Sequence, residues 1–260
     1  MQIKIFQVDA FASKVFKGNP AAVCPLESWL DDELLQAIAD ENKLSETAFF
    51  VTTDAGIELR WFTPLAEVAM CGHATIAAAH VLFEYLGYEA DRIAFQTQSG
   101  VIAVERRDDL LWLDLPADSA TPIAMDSAIV AALGLTPLAL FRGRDDIMAI
   151  FEDREQIEGI SPNFNLLAQL PSRGVIVTAT DGISSAFSRW FGPQIGIDED
   201  PVTGSAHALI APFWADRLGV NKIIASQLSA RGASFECEIT EDRVLLGTRA
   251  ITFMVGMIFI

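Results

Sequence analysis

A short internal repeat constrains the fold of this chain more than any other feature of its sequence. The pentapeptide Arg60-Trp61-Phe62-Thr63-Pro64 returns as Arg189-Trp190-Phe191-Gly192-Pro193, with only the fourth residue changed. Each copy is followed by an apolar stretch that begins and ends at a glycine, over residues 72–87 and 204–219. A helix that is apolar on every side is a buried helix. The repeat therefore predicts two homologous halves, each a strongly curved sheet wrapped around one apolar helix.

The fold class expected from this repeat is α+β, with two pseudo-symmetric domains. We expect the first lobe to contain residues 1–115 and 247–260 and the second to contain residues 116–246, with a polar linker near 116–122 that has a proline at each end. Such a layout aims two helix N-termini at one interdomain cleft, where we expect the active site. A helix N-terminus has unpaired amides and a partial positive charge, so it favours an anion such as a substrate carboxylate.

Charge and cysteine usage exclude several classes of protein. The 260 residues have a formal net charge of −17, which disfavours nucleic acid and anionic membranes as partners. The three cysteines, Cys24, Cys71 and Cys237, are too few and too scattered for a disulfide framework or a zinc site. We therefore expect a cytoplasmic protein without a zinc site.

The most apolar stretch is the C-terminal segment, residues 250–260. It is too short for a membrane helix, which needs about 20 residues. Its content of isoleucine, phenylalanine and valine predicts a buried closing strand. Near the other end of the chain, Ser28 is expected to cap a helix that ends close to Asn42.

Glu46 is the first candidate for chemistry. It lies at the start of an apolar strand, and alternation places it on the same face as Ala48 and Phe50. Desolvation on such a face favours the protonated carboxyl, which suits a general acid and base near neutral pH. The sequence alone leaves open that Glu46 is a solvated residue at the exposed start of the strand.

Two further candidates flank the helix-opening glycines. His73 follows Gly72 and could relay a proton or donate a hydrogen bond to a substrate oxygen, or it could simply satisfy backbone groups beside the helix start. In the second half, Asp200 could recognise substrate, or Asp200 or Thr203 could cap the helix. The other histidines, His80 and His207, fall inside the apolar helices, where a structural role is expected.

Five motifs occur in a fixed order along the chain and together are similar to one family. They are Gly18-Asn19-Pro20-Ala21-Ala22-Val23, Ser45-Glu46-Thr47-Ala48-Phe49, Cys71-Gly72-His73-Ala74-Thr75, Asp200-Pro201-Val202-Thr203-Gly204-Ser205-Ala206 and Gln227-Leu228-Ser229-Ala230-Arg231-Gly232. From Phe6 to Gly247 the chain resembles the phenazine-biosynthesis-like (PhzF-like) isomerases. That family shares its fold with diaminopimelate epimerase.

The resemblance implies a cofactor-independent isomerase that moves a proton within a small carboxylated substrate. It implies Glu46 as the catalytic acid and base, with His73 and Asp200 assisting proton movement. It also implies substrate contacts from Asn19 and Ser205 and from the backbone at two helix-opening residues, Gly72 and Gly204. A homodimer is expected as well.

The sequence departs from the related epimerases at one pair of positions, and this difference affects which reactions are possible. The related epimerases use two opposed cysteines, each directly before its helix glycine, whereas here the two positions hold Cys71 and Thr203. A threonine is a poor carbon base near neutral pH, so a two-thiol racemase is disfavoured. The alternatives that stay open are an amino-acid epimerase that uses Cys71 with another base, and a small-molecule-binding protein without turnover.

Overall fold

The computed structural model describes residues 1–260, which divide into two compact units. Unit 1 comprises Met1–Asp114 and Leu246–Ile260, and unit 2 comprises Leu115–Leu245. One copy of the sequence repeat lies in each unit. No helix has both the length and the apolar character needed to cross a membrane.

Unit 1 is built from strands and two helices. Its strands are β1 (Gln2–Ala10), β2 (Asn19–Leu26), β3 (Glu46–Thr53), β4 (Gly56–Phe62), β5 (Glu67–Val68), β6 (Arg92–Thr97), β7 (Gly100–Arg107), β8 (Leu110–Pro116), whose last two residues belong to unit 2, and β17 (Ala250–Phe259). Its helices are α1 (Asp32–Asn42) and α2 (Gly72–Tyr85). The pairing order is β17-β1-β2-β3-β4-β6-β7-β8. All of these pairs are antiparallel except β2–β3 and β4–β6.

Helix α2 lies at the centre of unit 1. It contacts β1, β2, β3, β7 and β17, and its residues are buried without interruption over positions 72–79. Small alanine side chains allow the strands to approach the helix from several sides. Helix α1 covers another face of the sheet, where Leu35 and Ile38 pack in one cluster with Ile5 and Phe49.

Unit 2 repeats this arrangement. Its strands are β9 (Thr121–Ile123), β10 (Ala139–Arg142), β11 (Asp146–Ile150), β12 (Gly174–Thr180), β13 (Ser185–Phe191), β14 (Lys222–Gln227), β15 (Ala233–Ile239) and β16 (Arg243–Thr248), whose last three residues belong to unit 1. Its helices are α3 (Ser127–Leu133), α4 (Arg154–Gly159), α5 (Phe164–Leu167), a short 3-10 helix (Pro193–Ile195) and α6 (Gly204–Leu218).

The sheet of unit 2 pairs in the order β9-β10-β11-β12-β13-β14-β15. Its parallel pairs are β11–β12 and β13–β14, so β10 to β15 repeat the orientations of β1, β2, β3, β4, β6 and β7. Helix α6 contacts β12, β13, β14 and β15 and, like α2, is mostly apolar and buried. The repeated topology confirms the predicted fold class.

Two local predictions are wrong. Helix α1 begins at Asp32, with Asp31 rather than Ser28 in the N-cap position, because the Trp29 indole donates to Glu58 at 2.6 Å and ties the preceding segment to β4. The C-terminal segment is a strand, as predicted, but it is largely exposed rather than buried. Apolar composition identifies a surface that avoids water, yet it does not say which partner covers that surface.

Candidate functional site

Glu46 opens β3, and its side chain is only 12% exposed. The strand is hydrogen-bonded in parallel to β2, with Glu46 opposite Ala21. Ala48 and Phe50 on the same face are buried, and so are Thr47 and Phe49 on the other face, so β3 is covered on both sides. Glu46 is therefore a largely buried carboxylate at a strand end rather than a solvated one.

His73, the second residue of α2, lies against this carboxylate. Its Nε2 is 3.1 Å from Oε2 of Glu46, and its side chain is 6% exposed. Both atoms are buried, yet neither has a hydrogen-bond partner with aligned geometry. A buried polar atom without a hydrogen bond is costly, and such atoms concentrate where a ligand is bound. The pair is thus close enough for an ion pair and retains hydrogen-bonding capacity for a third group.

The other ring nitrogen of His73 is held by its own unit. Nδ1 lies 3.3 Å from Nδ2 of Asn19 and 3.5 Å from Sγ of Cys71. Asn19 is fully buried, and its Oδ1 accepts a hydrogen bond of 3.2 Å from the Ser45 hydroxyl. In the protonated ring Nδ1 is a donor, so it can donate to Sγ of Cys71 but not to Nδ2 of Asn19. These neighbours leave the Nε2 edge of the ring facing Glu46.

The charges of this cluster are coupled. Burial lowers the pKa of His73, but interactions with Cys71 and Glu46 oppose burial and raise the pKa of His73 well above its ordinary value. Burial also raises the pKa of the Cys71 thiol, and the nearby Glu46 adds to this effect. Because a thiol with a raised pKa is neutral near pH 7, the charge that stabilises the imidazolium is that of Glu46.

The same cluster offers three donor atoms of kinds that bind metals. Single donor atoms of Glu46, Cys71 and His73 lie within 4.8 Å of one another. His73, however, presents Nε2 to Glu46 and Nδ1 to Cys71, which are different edges of the ring. A zinc ion needs ligand atoms converging at about 2.0 to 2.3 Å, with the cysteine as thiolate. In the cluster as it stands, the thiol is protonated and the two contacts use different edges of one ring, an arrangement that suits proton transfer.

Asp200 lies in unit 2, just before α6, and is 8% exposed. Its Oδ2 accepts a hydrogen bond of 2.5 Å from the Thr203 hydroxyl. Gln227 joins the two residues, because its Nε2 donates to the Asp200 carbonyl at 2.8 Å and its Oε1 accepts from the Thr203 amide at 2.9 Å. Thr203 occupies the N-cap position of α6, but its hydroxyl makes no cap hydrogen bond. The network holds the Asp200 carboxylate beside the helix start.

Ser205, the second residue of α6, has a partner that sequence reasoning missed. Its Oγ accepts a hydrogen bond of 3.0 Å from Nη1 of Arg173. Arg173 also forms a two-pronged ion pair with Asp146, including a hydrogen bond of 3.0 Å from Nε. The Trp190 indole donates to the same carboxylate at 3.2 Å. The repeat could have drawn attention to Arg173, since it directly precedes β12 as Ser45 directly precedes β3.

The two helix-opening glycines lie where the sequence places them. Gly72 begins α2 and Gly204 begins α6, and both are buried. The residues before them, Cys71 and Thr203, have extended backbones and make no side-chain cap hydrogen bond. Neither helix start is therefore capped by the side chain of its N-cap residue.

In each unit, the candidate site residues of that unit lie close to one another. Unit 1 brings together Asn19, Glu46 and His73 beside Gly72, and unit 2 brings Asp200 and Ser205 to the start of α6. The two remaining histidines do not join these clusters.

Those histidines have structural partners, as expected. Nδ1 of His207 donates to the Thr203 carbonyl at 2.9 Å, and burial lowers the pKa of His207 to about 4. Nε2 of His80 lies 2.9 Å from the Thr252 hydroxyl in β17.

Comparisons with known proteins agree with the fold and the motifs. The model of the phenazine biosynthesis-like protein family (PhzC-PhzF) matches residues 8–256. A protein of Pseudomonas aeruginosa named as an uncharacterized isomerase is 48% identical over 256 residues, or 98% of each chain.

Two solved structures extend the comparison. A PhzF-family crystal structure from Enterococcus faecalis is 43% identical, covers 100% of both chains and superposes with a TM-score of 0.96. A second structure from Pseudomonas aeruginosa, described as a predicted epimerase, is 20% identical, covers 99% of both chains and has a TM-score of 0.75, which shows a shared fold. The chain therefore belongs to the phenazine biosynthesis-like (PhzC-PhzF) family and is an isomerase of that family.

Proposed function

We propose that this protein is a cofactor-independent isomerase that moves a proton between two carbon atoms of a small carboxylated substrate. The observation that carries the proposal is the contact between Glu46 and His73, in which two buried, charged groups face each other at 3.1 Å without an aligned hydrogen bond. When a substrate binds, its contacts to these two side chains can replace the contact that they make with each other.

The proposed reaction uses Glu46 twice. As a carboxylate, Glu46 takes a proton from a carbon next to a conjugated system, and the electron pair left behind spreads into that system as an enolate-like anion. The same carboxyl then returns a proton to another carbon, so no atom or electron is gained or lost, and exchange of the Glu46 carboxyl proton with solvent between the two steps carries deuterium into the product. His73 lies 3.1 Å from the Glu46 carboxyl, so a substrate carbon that reaches Glu46 lies close to the imidazolium, which we assign to stabilising the transient negative charge.

The substrate class follows from the groups near the helix starts. We assign the backbone amides at the uncapped helix start of Gly72, in the same unit as Glu46, to the substrate carboxylate, since such helix N-termini favour anions. Asp200 and Ser205 are assigned to substrate contacts through the family resemblance. Local fields of this kind allow a chain with a net charge of −17 to bind an anion.

An epimerase that uses Cys71 is the second candidate, because Sγ of Cys71 lies 3.5 Å from Nδ1 of His73. Two observations disfavour it. Burial raises the pKa of the Cys71 thiol, which reduces the thiolate fraction, and the matching position in unit 2 holds Thr203.

The test is proton exchange from heavy water. Protein treated with a chelator is incubated in deuterium oxide with a panel of small unsaturated, hydroxylated and amino acids, and loss of C–H signals is followed by proton NMR. The proposal predicts deuterium wash-in to an unsaturated acid at a rate that chelation does not change. Exchange that needs an added metal ion, or exchange confined to the α-carbon of amino acids, would contradict it.

A further inference from the structure

Arg173 is held in one orientation by two neighbours in unit 2. Its Nε donates to Oδ1 of Asp146 at 3.0 Å, and its Nη2 donates to Oδ2 of the same carboxylate. The Trp190 indole donates to Asp146 at 3.2 Å, and the centroid of its ring lies 5.4 Å from Cζ of Arg173. Because a guanidinium is a rigid planar fork, two hydrogen bonds to one carboxylate fix the directions of its remaining N–H groups.

One of these remaining groups points at Ser205. Nη1 of Arg173 lies 3.0 Å from Oγ of Ser205, and since a guanidinium only donates, the serine oxygen is the acceptor in this contact. The serine hydroxyl still has its own proton to donate, and the chain provides no acceptor for that proton. The carbonyl four residues earlier, to which a helical serine can donate, belongs to Pro201 and accepts from the Ser229 hydroxyl at 2.8 Å. Ser205 is half-buried, so its hydroxyl proton is available to a bound molecule.

Unit 1 has a related arrangement at the start of its own central helix. Ser45, the residue before β3, donates to Asn19 at 3.2 Å, and Nδ2 of Asn19 lies 3.3 Å from Nδ1 of His73, the second residue of α2. Arg173, the residue before β12, contacts the second residue of α6 without an intermediate. In both units, therefore, the residue before the matching strand is linked to the second residue of the buried helix.

We propose that Arg173 is a positioning residue of this isomerase, which fixes the Ser205 hydroxyl as a hydrogen-bond donor to an oxygen atom of the substrate. This inference rests on the proposed function, which assigns Ser205 to substrate contacts. The carboxylate of Asp146 compensates the charge of Arg173, so the arginine supplies orientation rather than net positive charge. The backbone amides at the uncapped start of α6 are donors as well. A substrate group that meets both kinds of donor must accept hydrogen bonds, as a carbonyl or carboxylate oxygen does and an ammonium group does not.

The first test needs no substrate, because it measures the side-chain rotamer of Ser205 from the NMR couplings between its Hα and Hβ protons. The wild type is expected to show a single rotamer. Arg173→Met removes every donor of the side chain, and the couplings of Ser205 are then expected to average over several rotamers. Arg173→Lys is the second variant, since a lysine keeps a positive charge for Asp146 but lacks the fork that reaches Asp146 and Ser205 together. It is expected to fold and to show the same averaging.

Arg154→Met is the matched control for this measurement. Arg154 also pairs with a carboxylate, that of Glu158, and its Cζ lies 5.3 Å from the ring centroid of Phe187, but it lies on α4 rather than beside α6. The couplings of Ser205 in this variant should equal those of the wild type. Wild-type couplings in both Arg173 variants would overturn the proposal.

The second test measures kcat/KM for deuterium wash-in to the acid that the wild type exchanges. Arg173→Lys and Ser205→Ala are each expected to lower kcat/KM by about 10-fold, the effect of one lost hydrogen bond to substrate. Because Arg173 acts through Ser205, the double variant is expected to lose no more than the larger single loss. Single losses that multiply to about 100-fold in the double variant would overturn the proposal. A wild type that exchanges no acid contradicts the proposed function alone, and the Ser205 couplings then decide whether Arg173 positions the hydroxyl.

Discussion

Gly174 occupies in unit 2 the sheet position that Glu46 occupies in unit 1. In unit 1, Glu46 lies two positions before the strand residue that pairs with Trp61. In unit 2, Gly174 lies two positions before the strand residue that pairs with Trp190. A Cβ atom at Gly174 would lie 2.4 Å from Cζ2 of Trp190. The indole therefore fills the space beside Gly174. As a result, only unit 1 has a carboxylate at this sheet position.

The first prediction concerns Gly174→Ala. The added methyl group collides with a buried indole ring that donates to Asp146, so the substitution should lower the free energy of unfolding by about 1 to 3 kcal/mol. Urea denaturation followed by tryptophan fluorescence measures the change. Gly159→Ala is the matched control, because nothing lies within 4 Å of a Cβ atom there. Equal stability of the two variants would show that the space beside Trp190 is not tightly filled.

The second prediction concerns the protonation of His73. Burial lowers the pKa of His73, but the negative charge of Glu46 and the contacts of the ring with Cys71 and Glu46 outweigh burial and raise this pKa, so the imidazolium should persist above pH 6.5 in nitrogen-15 NMR spectra. Glu46→Gln should lower the pKa of His73. His207 serves as an internal control, because burial lowers its pKa to about 4 and it should stay neutral over the same range.

The same shift has a consequence for stability. A group whose pKa is higher in the folded chain than in the unfolded chain adds to the free energy of unfolding. The added stability is complete below the unfolded pKa and is lost as the pH rises through the folded pKa. The stability difference between wild type and His73→Gln should therefore be largest below pH 6.5 and shrink above the pKa of the folded protein. A difference that grows with rising pH would contradict the proposed ion pair.

The third prediction concerns Arg173. Asp146 is 4% exposed, so Arg173→Ala leaves a buried carboxylate with the Trp190 indole as its remaining donor among the contacts described above. Removing one partner of a buried pair costs about 3 to 5 kcal/mol, and the partial exposure of Arg173 reduces the expected loss to about 2 to 3 kcal/mol. Arg154→Ala is the control, since its exposed pair with Glu158 contributes about 0.5 kcal/mol or less. If urea denaturation shows that Arg173→Ala and Arg154→Ala lose the same free energy of unfolding, the buried pair of Arg173 with Asp146 is not the stabilising contact described here.

The fourth prediction concerns Cys71. Because burial raises the pKa of its thiol, iodoacetamide near pH 7 should leave activity unchanged, and Cys71→Ser should remain active. Alkylation in urea, where mass spectrometry should find all three cysteines modified, is the positive control for the reagent. Inactivation of the native protein by the reagent, together with an inactive Cys71→Ser variant, would favour the epimerase mechanism.

The sequence predicts the elements whose signals are local. The repeat and the flanking glycines locate two apolar helices, which the structure begins at Gly72 and Gly204. Alternation places Glu46 at the start of an apolar strand. The repeat adds long-range information, because homologous halves must pair their strands in the same order.

Local sequence patterns do not predict contacts between residues that lie far apart in the sequence. Arg173 and Asp146 lie far in sequence from the motif at the start of α6 that they support, and only the folded sheet brings them to it. Gln227 belongs to a motif, but no local pattern predicts its hydrogen bond with Thr203. The exposure of β17 was missed for a related reason: an apolar strand that covers a core and one that covers another molecule have the same composition.

The most direct test of the account is the rate of deuterium wash-in to the exchanging acid catalysed by Glu46→Gln. If Glu46 is the acid and base, this variant should lose at least about 100-fold in rate while its circular dichroism spectrum stays that of the wild type. Glu236→Gln, at an exposed position on β15, should exchange at the wild-type rate. Exchange by Glu46→Gln at the wild-type rate would contradict the assignment of Glu46 as the proton carrier.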